Sequence, residues 1–340
     1  MVNKRFDAIV VGGGPAGSSC AQKLVQAGAR VAVLDRAQFP RLKLCAGWIT
    51  PQAIAALELK PADYPHRFNT FDQIVAHVKG LSFSMRNPQH SIRRFEFDNF
   101  LLQRCGAEVI PHTVKHVERV GMHYLLDNEY ECEHLVGAGG TRCPVYKQLF
   151  RAHNPRAREL QAATYEYEFP YDCSDERCHL WFFDGGLPGY SWYVPKADGY
   201  LNCGVGGMAE LLKARGDDVK SHWQNFVGRL RKQSLIDSGT TLRPKGYSYY
   251  LRGNVDTVSL DNAYLVGDAA GLATRDLCEG IGPAIYSGQR AAHSITTGTP
   301  YVLEDIDAFS SPSVPIKWLL EYMFVSRGRK HVRAAETATA

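Results

Sequence analysis

The sequence lacks several things, and each absence narrows what the protein does. No window of its 340 residues approaches the ~18 apolar residues of a membrane-spanning helix. It has no charge excess of one sign: 39 basic residues against 35 acidic leave a net +4. No basic stripe interleaved with aromatics runs through it, so a nucleic-acid partner is not expected. It has no disulfide framework. Nine cysteines, an odd number, are scattered as Cys20, Cys45, Cys105, Cys132, Cys143, Cys173, Cys178, Cys203 and Cys278, which reads as reduced thiols of a cytoplasmic protein. Cys173, Cys178 and His179 crowd together in YDCSDERCH, but further ligands at suitable spacing are missing, so no metal site is expected. MVNKRFDAIVV runs straight into an apolar strand, so no signal peptide is expected. There is no internal repeat.

What is present is ordinary in bulk and specific in detail. With 45% hydrophobic and 22% charged residues, the chain can bury one large core or two interleaved ones. The first specific signal is FDAIVVGGGPAGSSCAQKLVQAGARVAVLDR. Residues 6–11 form a short apolar run, as in a buried parallel strand. Gly12, Gly14 and Gly17 then give G-x-G-x-x-G, with Pro15 and Ala16 inside it. The first glycine permits the tight turn, the second lets a pyrophosphate approach the backbone, and the third lets the helix pack on the strand. A helix over 16–27 ends at Gly28, a strand spans 31–34, and Asp35, followed by Arg36, stands where a carboxylate accepts from ribose hydroxyls.

NAD and FAD share that element. The second signal separates them: DNAYLVGDAAGLATRDLCEGIGPAIYSGQRAAHSI carries a strand over 263–266, then Gly267-Asp268, then Gly280-Ile281-Gly282 opening a helix. An NAD site needs no such second element, whereas FAD does. Its ribitol needs a polar anchor, which Asp268 supplies. Its ring needs positive potential where charge collects on reduction, which the helix N-terminus near Gly282 supplies.

Together these stretches resemble the glutathione-reductase-type FAD proteins. Within them the chain is similar to the geranylgeranyl reductase family, which shares its fold with aromatic hydroxylases and flavin-dependent halogenases. The resemblance rests on VGGGPAG with Asp35, on Pro40 followed by Cys45-Ala46-Gly47, on GYSWYVPK at 189–196, and on GDAAG with EGI. A further stretch, from Arg94 through Phe97-Asp98 to Leu101, is similar to the family segment whose arginine contacts FAD. Val194 replaces the usual aromatic of the tryptophan motif, and Gly137-Ala138-Gly139-Gly140 lacks the aspartate common in hydroxylases. The resemblance implies an α/β chain: a Rossmann-like FAD-binding domain with an inserted antiparallel β-sheet substrate domain and a C-terminal helix. The FAD-binding domain takes 1–72, 92–160 and 252–300, and the substrate domain takes 73–91 and 161–251. A C-terminal helical segment takes 301–333, and 334–340 is a disordered tail. Non-covalent FAD is expected on Gly12, Gly14, Pro15, Ala16, Gly17, Asp35, Arg36, Cys45, Ala46, Gly47, Arg94, Val114, Gly267, Asp268, Gly280, Ile281 and Gly282.

In this family the loop carrying Cys45 passes beside the flavin ring. Cys45 is a ring contact or a proton donor, or else an inert small residue; a thiol near pKa ~8.5 is protonated at neutral pH. Tyr190 and Trp192 line the substrate cavity or are core aromatics beneath a sheet. Residues 217–233 form an amphipathic helix covering that sheet, with Val219, Trp223, Phe226, Val227 and Leu230 on one stripe. Near the C-terminus, VPIKWLLEYMFVSRGRKHVR sets Ile316, Leu319, Leu320, Met323 and Phe324 on one face before a basic run. It either packs against the cavity or makes peripheral membrane contact at an anionic lipid surface. The expected function is reduction of carbon–carbon double bonds of an isoprenoid or other hydrophobic substrate, with NAD(P)H, a ferredoxin or a flavodoxin as electron donor. Two alternatives stand: an FAD-dependent monooxygenase, hydroxylase-like or halogenase-like, and a non-catalytic prenyl-protein escort.

Overall fold

The computed structural model describes residues 4–310. In chain order, β1 (Lys4–Val11), α1 (Pro15–Gln26) and β2 (Val31–Asp35) make the first βαβ unit. Pro15 sits in the first turn of α1, where its missing N–H has no helical partner to lose. β3 (Trp48–Ile49), α2 (Pro51–Ala56), β4 (Asn69–Val78) and β5 (Leu81–Ser91) follow. Then come α3 (Arg94–Arg104), β6 (Glu108–Pro111), β7 (Val117–Val120), β8 (His123–Leu126) and β9 (Tyr130–Gly137). The second half holds β10 (Gln161–Pro170), β11 (Cys178–Phe182), β12 (Gly189–Lys196), β13 (Tyr200–Met208), α4 (Ala209–Ala214) and α5 (Val219–Lys232). β14 (Lys245–Tyr250), β15 (Ser259–Leu260), β16 (Ala263–Leu265) and α6 (Ile281–Thr297) complete it.

The strands form two sheets. The first runs β15-β16-β9-β1-β2-β6, with β7 and β8 attached as a meander to β9. β16, β9, β1, β2 and β6 are mutually parallel, and β1 is buried from Ala8 to Val11, which is why it reads as an unbroken apolar run. The second sheet runs β14-β10-β13-β12-β11-β4-β5-β3. All its neighbouring pairs are antiparallel except β11 and β4. The chain leaves β4–β5, builds α3, four strands of the first sheet (β6–β9) and β10, and then returns to lay β11 beside β4, so that pair has no hairpin to make it antiparallel.

Side-chain alternation gives the second sheet two different faces. Tyr190, Trp192 and Val194 join one apolar cluster with Leu180, Met208 and Leu251, while Tyr193, Cys203 and Val205 point to the other side. On that other side α5 covers the sheet with Val219, Trp223, Phe226, Val227 and Leu230. Asp218 caps α5 by accepting from the Lys220 N–H, and Arg229, Arg231 and Lys232 occupy its last turn, where the helix dipole favours cations. Each fully buried apolar side chain on this stripe contributes about 1.5–3 kcal/mol.

Several boundaries differ from the sequence reading. α3 begins at Arg94, so the arginine expected to contact cofactor belongs to the helix. β7 begins at Val117, so Val114, expected to contact FAD, lies in the preceding loop. Residues 301–310 form turns instead of helix, with Tyr301, Leu303 and Ile306 buried against the first core. The helix expected to follow, and the tail, lie outside the described residues. Among the described residues no helix is long and apolar enough to cross a membrane.

Candidate active site

The end of β1 is shaped by glycines with distinct jobs. Gly12 has φ +119°, and a Cβ there would lie 2.4 Å from the Ala138 carbonyl oxygen. A Cβ at Gly17 would fall 1.9 Å from the Gly12 carbonyl oxygen, so only glycine lets α1 rest on the turn. Gly14 differs: a Cβ there would meet only the Arg41 Nη2, at 3.6 Å, because the space above the N-terminus of α1 is open. Asp35 accepts from the Gly13 and Ala37 N–H groups, both at 2.8 Å, which fixes its carboxylate beside this opening. Asp98, fully buried, accepts from Arg94 Nε at 2.6 Å and Nη2 at 2.8 Å and approaches Arg41 at 3.3 Å. Burial lowers the Arg41 pKa while Asp98 resists; at Arg94 burial pulls the same way, but Asp98 outweighs it and raises the pKa.

The loop after β2 is tied from several directions. Gly47 has φ +71°, and a Cβ there would lie 2.2 Å from the Ile92 carbonyl oxygen. The Ile92 N–H donates to the Gly47 carbonyl at 2.8 Å. Lys196, buried at the end of β12, donates to the Ala46 carbonyl. Asn202 donates to the Cys45 carbonyl at 3.2 Å, and the Gly47 N–H donates to Cys45 Sγ at 3.3 Å. Cys45 is also among the groups that favour the charged Arg94 guanidinium.

Facing this loop is the start of α6. Of its first-turn donors, Pro283 has none, and the Gly282 N–H donates to Glu279 Oε1 at 2.8 Å. The sequence reading left that N–H open for a flavin; the structure fills it with a carboxylate. Burial pushes Glu279 up to about 7 although the Gly282 N–H pulls it down. Asp268 Oδ1 lies 3.4 Å from where a Gly280 Cβ would stand. The Asp268 turn is held from behind: the Gly267 N–H donates to Ser287 Oγ at 2.9 Å, and Arg156 donates to the Asp268 and Ala269 carbonyls.

All of this opens on one cavity of about 970 Å³. Gly12, Gly14, Pro15, Ala16, Asp35, Arg36 and Val114 line one end. Cys45, Ala46, Gly47, Arg94, Asp268, Gly280 and Ile281 line the middle. Gly17, Gly267 and Gly282 stand behind the wall and act through packing or backbone bonds. The far end is aromatic. Trp48 stacks on Tyr190 at 6.5 Å between ring centroids, and Tyr190 lies 5.8 Å from Trp192. The Tyr190 hydroxyl donates to the Leu277 carbonyl at 2.6 Å, and Trp192 Nε1 donates to Asn202 Oδ1 at 2.7 Å. Met208, Tyr249, Leu251, Leu277 and Cys278 complete this chamber. Cys278 takes φ +57°, rare for a side-chain-bearing residue, and burial raises its thiol to about 12. So Tyr190 and Trp192 are both core aromatics and cavity wall.

Sequence reasoning missed Arg41, Trp48, Glu166, Lys196, Asn202, Cys278 and Glu279. Arg41 lies inside the stretch from Pro40 to Gly47, and Trp48 follows it directly. Glu166 had a fainter signal: in TYEYEF the tyrosines of β10, Tyr165 and Tyr167, face α5, so Glu166 between them must face the cavity side.

Comparison with known proteins agrees with this geometry. Residues 10–44 match the family model of the NAD(P)-binding Rossmann-like domain. A menaquinone reductase of Mycolicibacterium smegmatis is 31% identical over 320 residues, spanning 87% of this chain and 78% of its own. A geranylgeranyl diphosphate reductase of Rhodobacter capsulatus is 26% identical over 313 residues, spanning 85% of this chain and 75% of its own. The solved structure of a geranylgeranyl bacteriochlorophyll reductase-like protein from Thermoplasma acidophilum has a TM-score of 0.75 at 19% identity. It covers 98% of this chain and 86% of that one, which shows a shared fold. With a nucleotide cradle, a tied loop and an aromatic chamber on one cavity, the chain belongs to the geranylgeranyl reductase-like family of flavin-dependent oxidoreductases.

Proposed function

We propose that the protein binds FAD non-covalently and reduces carbon–carbon double bonds of an isoprenoid or similarly hydrophobic substrate. The observation that carries this is the continuity of the cavity: a phosphate-sized opening over Gly14 leads past Cys45–Gly47 to an aromatic chamber without leaving the protein. Its volume of about 970 Å³ stands at the upper end of the ~300–1,000 Å³ range of ligand sites.

The residues present fit FAD. Gly14 at the N-terminus of α1 and Arg41 would hold the pyrophosphate, and Asp35 would accept from the ribose. Val114 would meet the adenine end, and Asp268 would anchor the ribitol. The Cys45–Gly47 loop and the start of α6 would hold the ring, with Glu279 lining the cavity beside them. When bound and reduced, the flavin supplies a hydride. The chain's own contribution is to hold the substrate against Trp48, Tyr190, Trp192 and Tyr249 and to keep water out. Reducing equivalents come from a visiting NAD(P)H, ferredoxin or flavodoxin. The two relatives named above act, by their names, on molecules with polyprenyl chains, which supports a prenyl substrate here.

The test is reoxidation kinetics. The purified protein is loaded with FAD, reduced without air, and mixed with aerated buffer or with a prenyl substrate. Slow return of the yellow colour in air and fast return with the prenyl compound are expected. Fast reaction with air that inserts oxygen into an aromatic substrate would move the assignment to a monooxygenase. A protein that stays colourless with FAD would move it to an escort.

A further inference from the structure

We propose that Glu166 is the acid that completes the reduction, giving its proton to the substrate carbon beside the one that receives hydride. This rests on the double-bond reduction proposed above.

Among the described residues four carboxyl side chains line the cavity: Asp35, Glu166, Asp268 and Glu279. Asp35 is held by two backbone N–H groups at the nucleotide end, Glu279 caps α6, and Asp268 stands beside Gly280. Only Glu166 rises from the sheet face that carries the aromatic chamber. It is 2% exposed, in the middle of β10, opposite Gly204 on one neighbouring strand and Lys245 on the other. Gly204 also pairs with Trp192, and a Cβ there would lie 2.3 Å from the indole and 2.6 Å from Glu166 Cβ. The glycine therefore keeps the space between acid and indole free.

Asn202 locks the arrangement. It accepts from Trp192 Nε1, and its amide NH₂ donates to Glu166 Oε2 at 3.3 Å and to the Cys45 carbonyl at 3.2 Å. One side chain thus holds the acid, the indole and the loop in register. Lys43 and Lys196 lie close enough to favour the carboxylate left after proton transfer, while Glu168 opposes it. Burial is the larger influence and raises the carboxyl to about 7, the range in which an acid holds a proton at neutral pH and still releases it. The other candidate donor on this side, the Cys278 thiol, is pushed to about 12 and is the weaker acid.

The step balances. Hydride from the reduced cofactor forms a C–H bond at one alkene carbon. The π pair forms the second C–H bond at its neighbour with the Glu166 proton, and the carboxyl O–H bond breaks. The carboxylate then takes a proton from water at the cavity mouth, where Lys43 and Lys245 stand.

The experiment compares wild type, Glu166→Gln and Glu166→Asp, each loaded with FAD, using geranylgeranyl diphosphate and a short-chain menaquinone as probes. E166Q is expected to bind FAD and be reduced like wild type yet lose about 10²–10⁴-fold in turnover, with E166D recovering part of it. Infrared difference spectra between about pH 6 and pH 8 give a readout without substrate. Wild type is expected to show a protonated-carboxyl band that E166Q diminishes, beside the band from Glu279. E166Q turnover within about threefold of wild type, loss of FAD binding in E166Q, or no Glu166-dependent band would overturn the proposal. A wild type that shows the band but reduces neither probe would overturn the reading of the function, and the proton role with it.

Discussion

Two alanine substitutions three residues apart, at Gly14 and Gly17, should separate a structural glycine from a ligand-facing one. At Gly17 a Cβ would stand 1.9 Å from the Gly12 carbonyl oxygen, backbone against backbone, so α1 must move off the turn. Overpacking of this kind costs about 1–3 kcal/mol, which lowers Tm by roughly 2–12 °C in a large domain. At Gly14 the same methyl meets nothing nearer than Arg41 Nη2 at 3.6 Å, and the backbone sits at φ −77°, which alanine accepts. Loss of a tolerated N-cap and gain from a stiffer unfolded chain nearly cancel, leaving stability within about 1 kcal/mol. The methyl instead occupies the space assigned to the pyrophosphate, so about 1–3 kcal/mol of overpacking appears in binding, a loss of roughly 5–150-fold in FAD affinity. Scanning calorimetry of the flavin-free proteins reads the first effect, and titration of FAD fluorescence reads the second. If Gly14→Ala binds FAD as tightly as wild type, the pyrophosphate does not lie over Gly14 and the cradle has been misread.

Other expectations follow from the same contacts. Lys196→Met removes the donor to the Ala46 carbonyl and should weaken FAD binding about tenfold, since an unmet hydrogen bond costs about 1–3 kcal/mol; unchanged affinity would show that the loop does not depend on the tie. Glu166 is raised from its ordinary 4.5 to about 7, so its contribution to stability is fully present below about pH 4.5 and is lost as pH rises through 7. The loss is about 3 kcal/mol, and urea melts at the two ends of that window should show E166Q flatter than wild type by this amount. Phe226→Ala hollows the α5 face of the sheet and should cost about 3–5 kcal/mol of stability while FAD affinity stays unchanged, because Phe226 lies on the face away from the cavity.

The nucleotide end was legible because its constraints are local. Gly12, Gly14, Gly17 and Asp35 fall within one βαβ unit: Gly17 is demanded by the Gly12 carbonyl five residues before it and Asp35 binds the Gly13 and Ala37 N–H groups, although the carbonyl that crowds Gly12 comes from Ala138, just after β9. The amphipathic α5 was legible for the same reason, as its stripe lies within one helix. The substrate end depended on pairings that the chain order hides. Lys196 closes the GYSWYVPK stretch, yet its amine binds a loop 150 residues earlier. Asn202 looked like one polar residue in a hairpin, but it joins Trp192, Glu166 and the Cys45 loop. Glu279 precedes the helix start that was read as an open anion site, and only the fold shows its carboxylate turned back onto the Gly282 N–H. The parallel β4–β11 pair was likewise invisible, because roughly a hundred residues of other structure separate the two strands.

The most direct test of the central claim is the mass of the product. The FAD-loaded protein, reduced without air, is mixed with geranylgeranyl diphosphate or a short-chain menaquinone, and the extract is weighed by mass spectrometry as the flavin colour returns. A prenyl product heavier by two hydrogens for each double bond reduced is expected, in step with flavin reoxidation. Unchanged prenyl chains with the flavin still reduced, or a product that has gained oxygen, would contradict it.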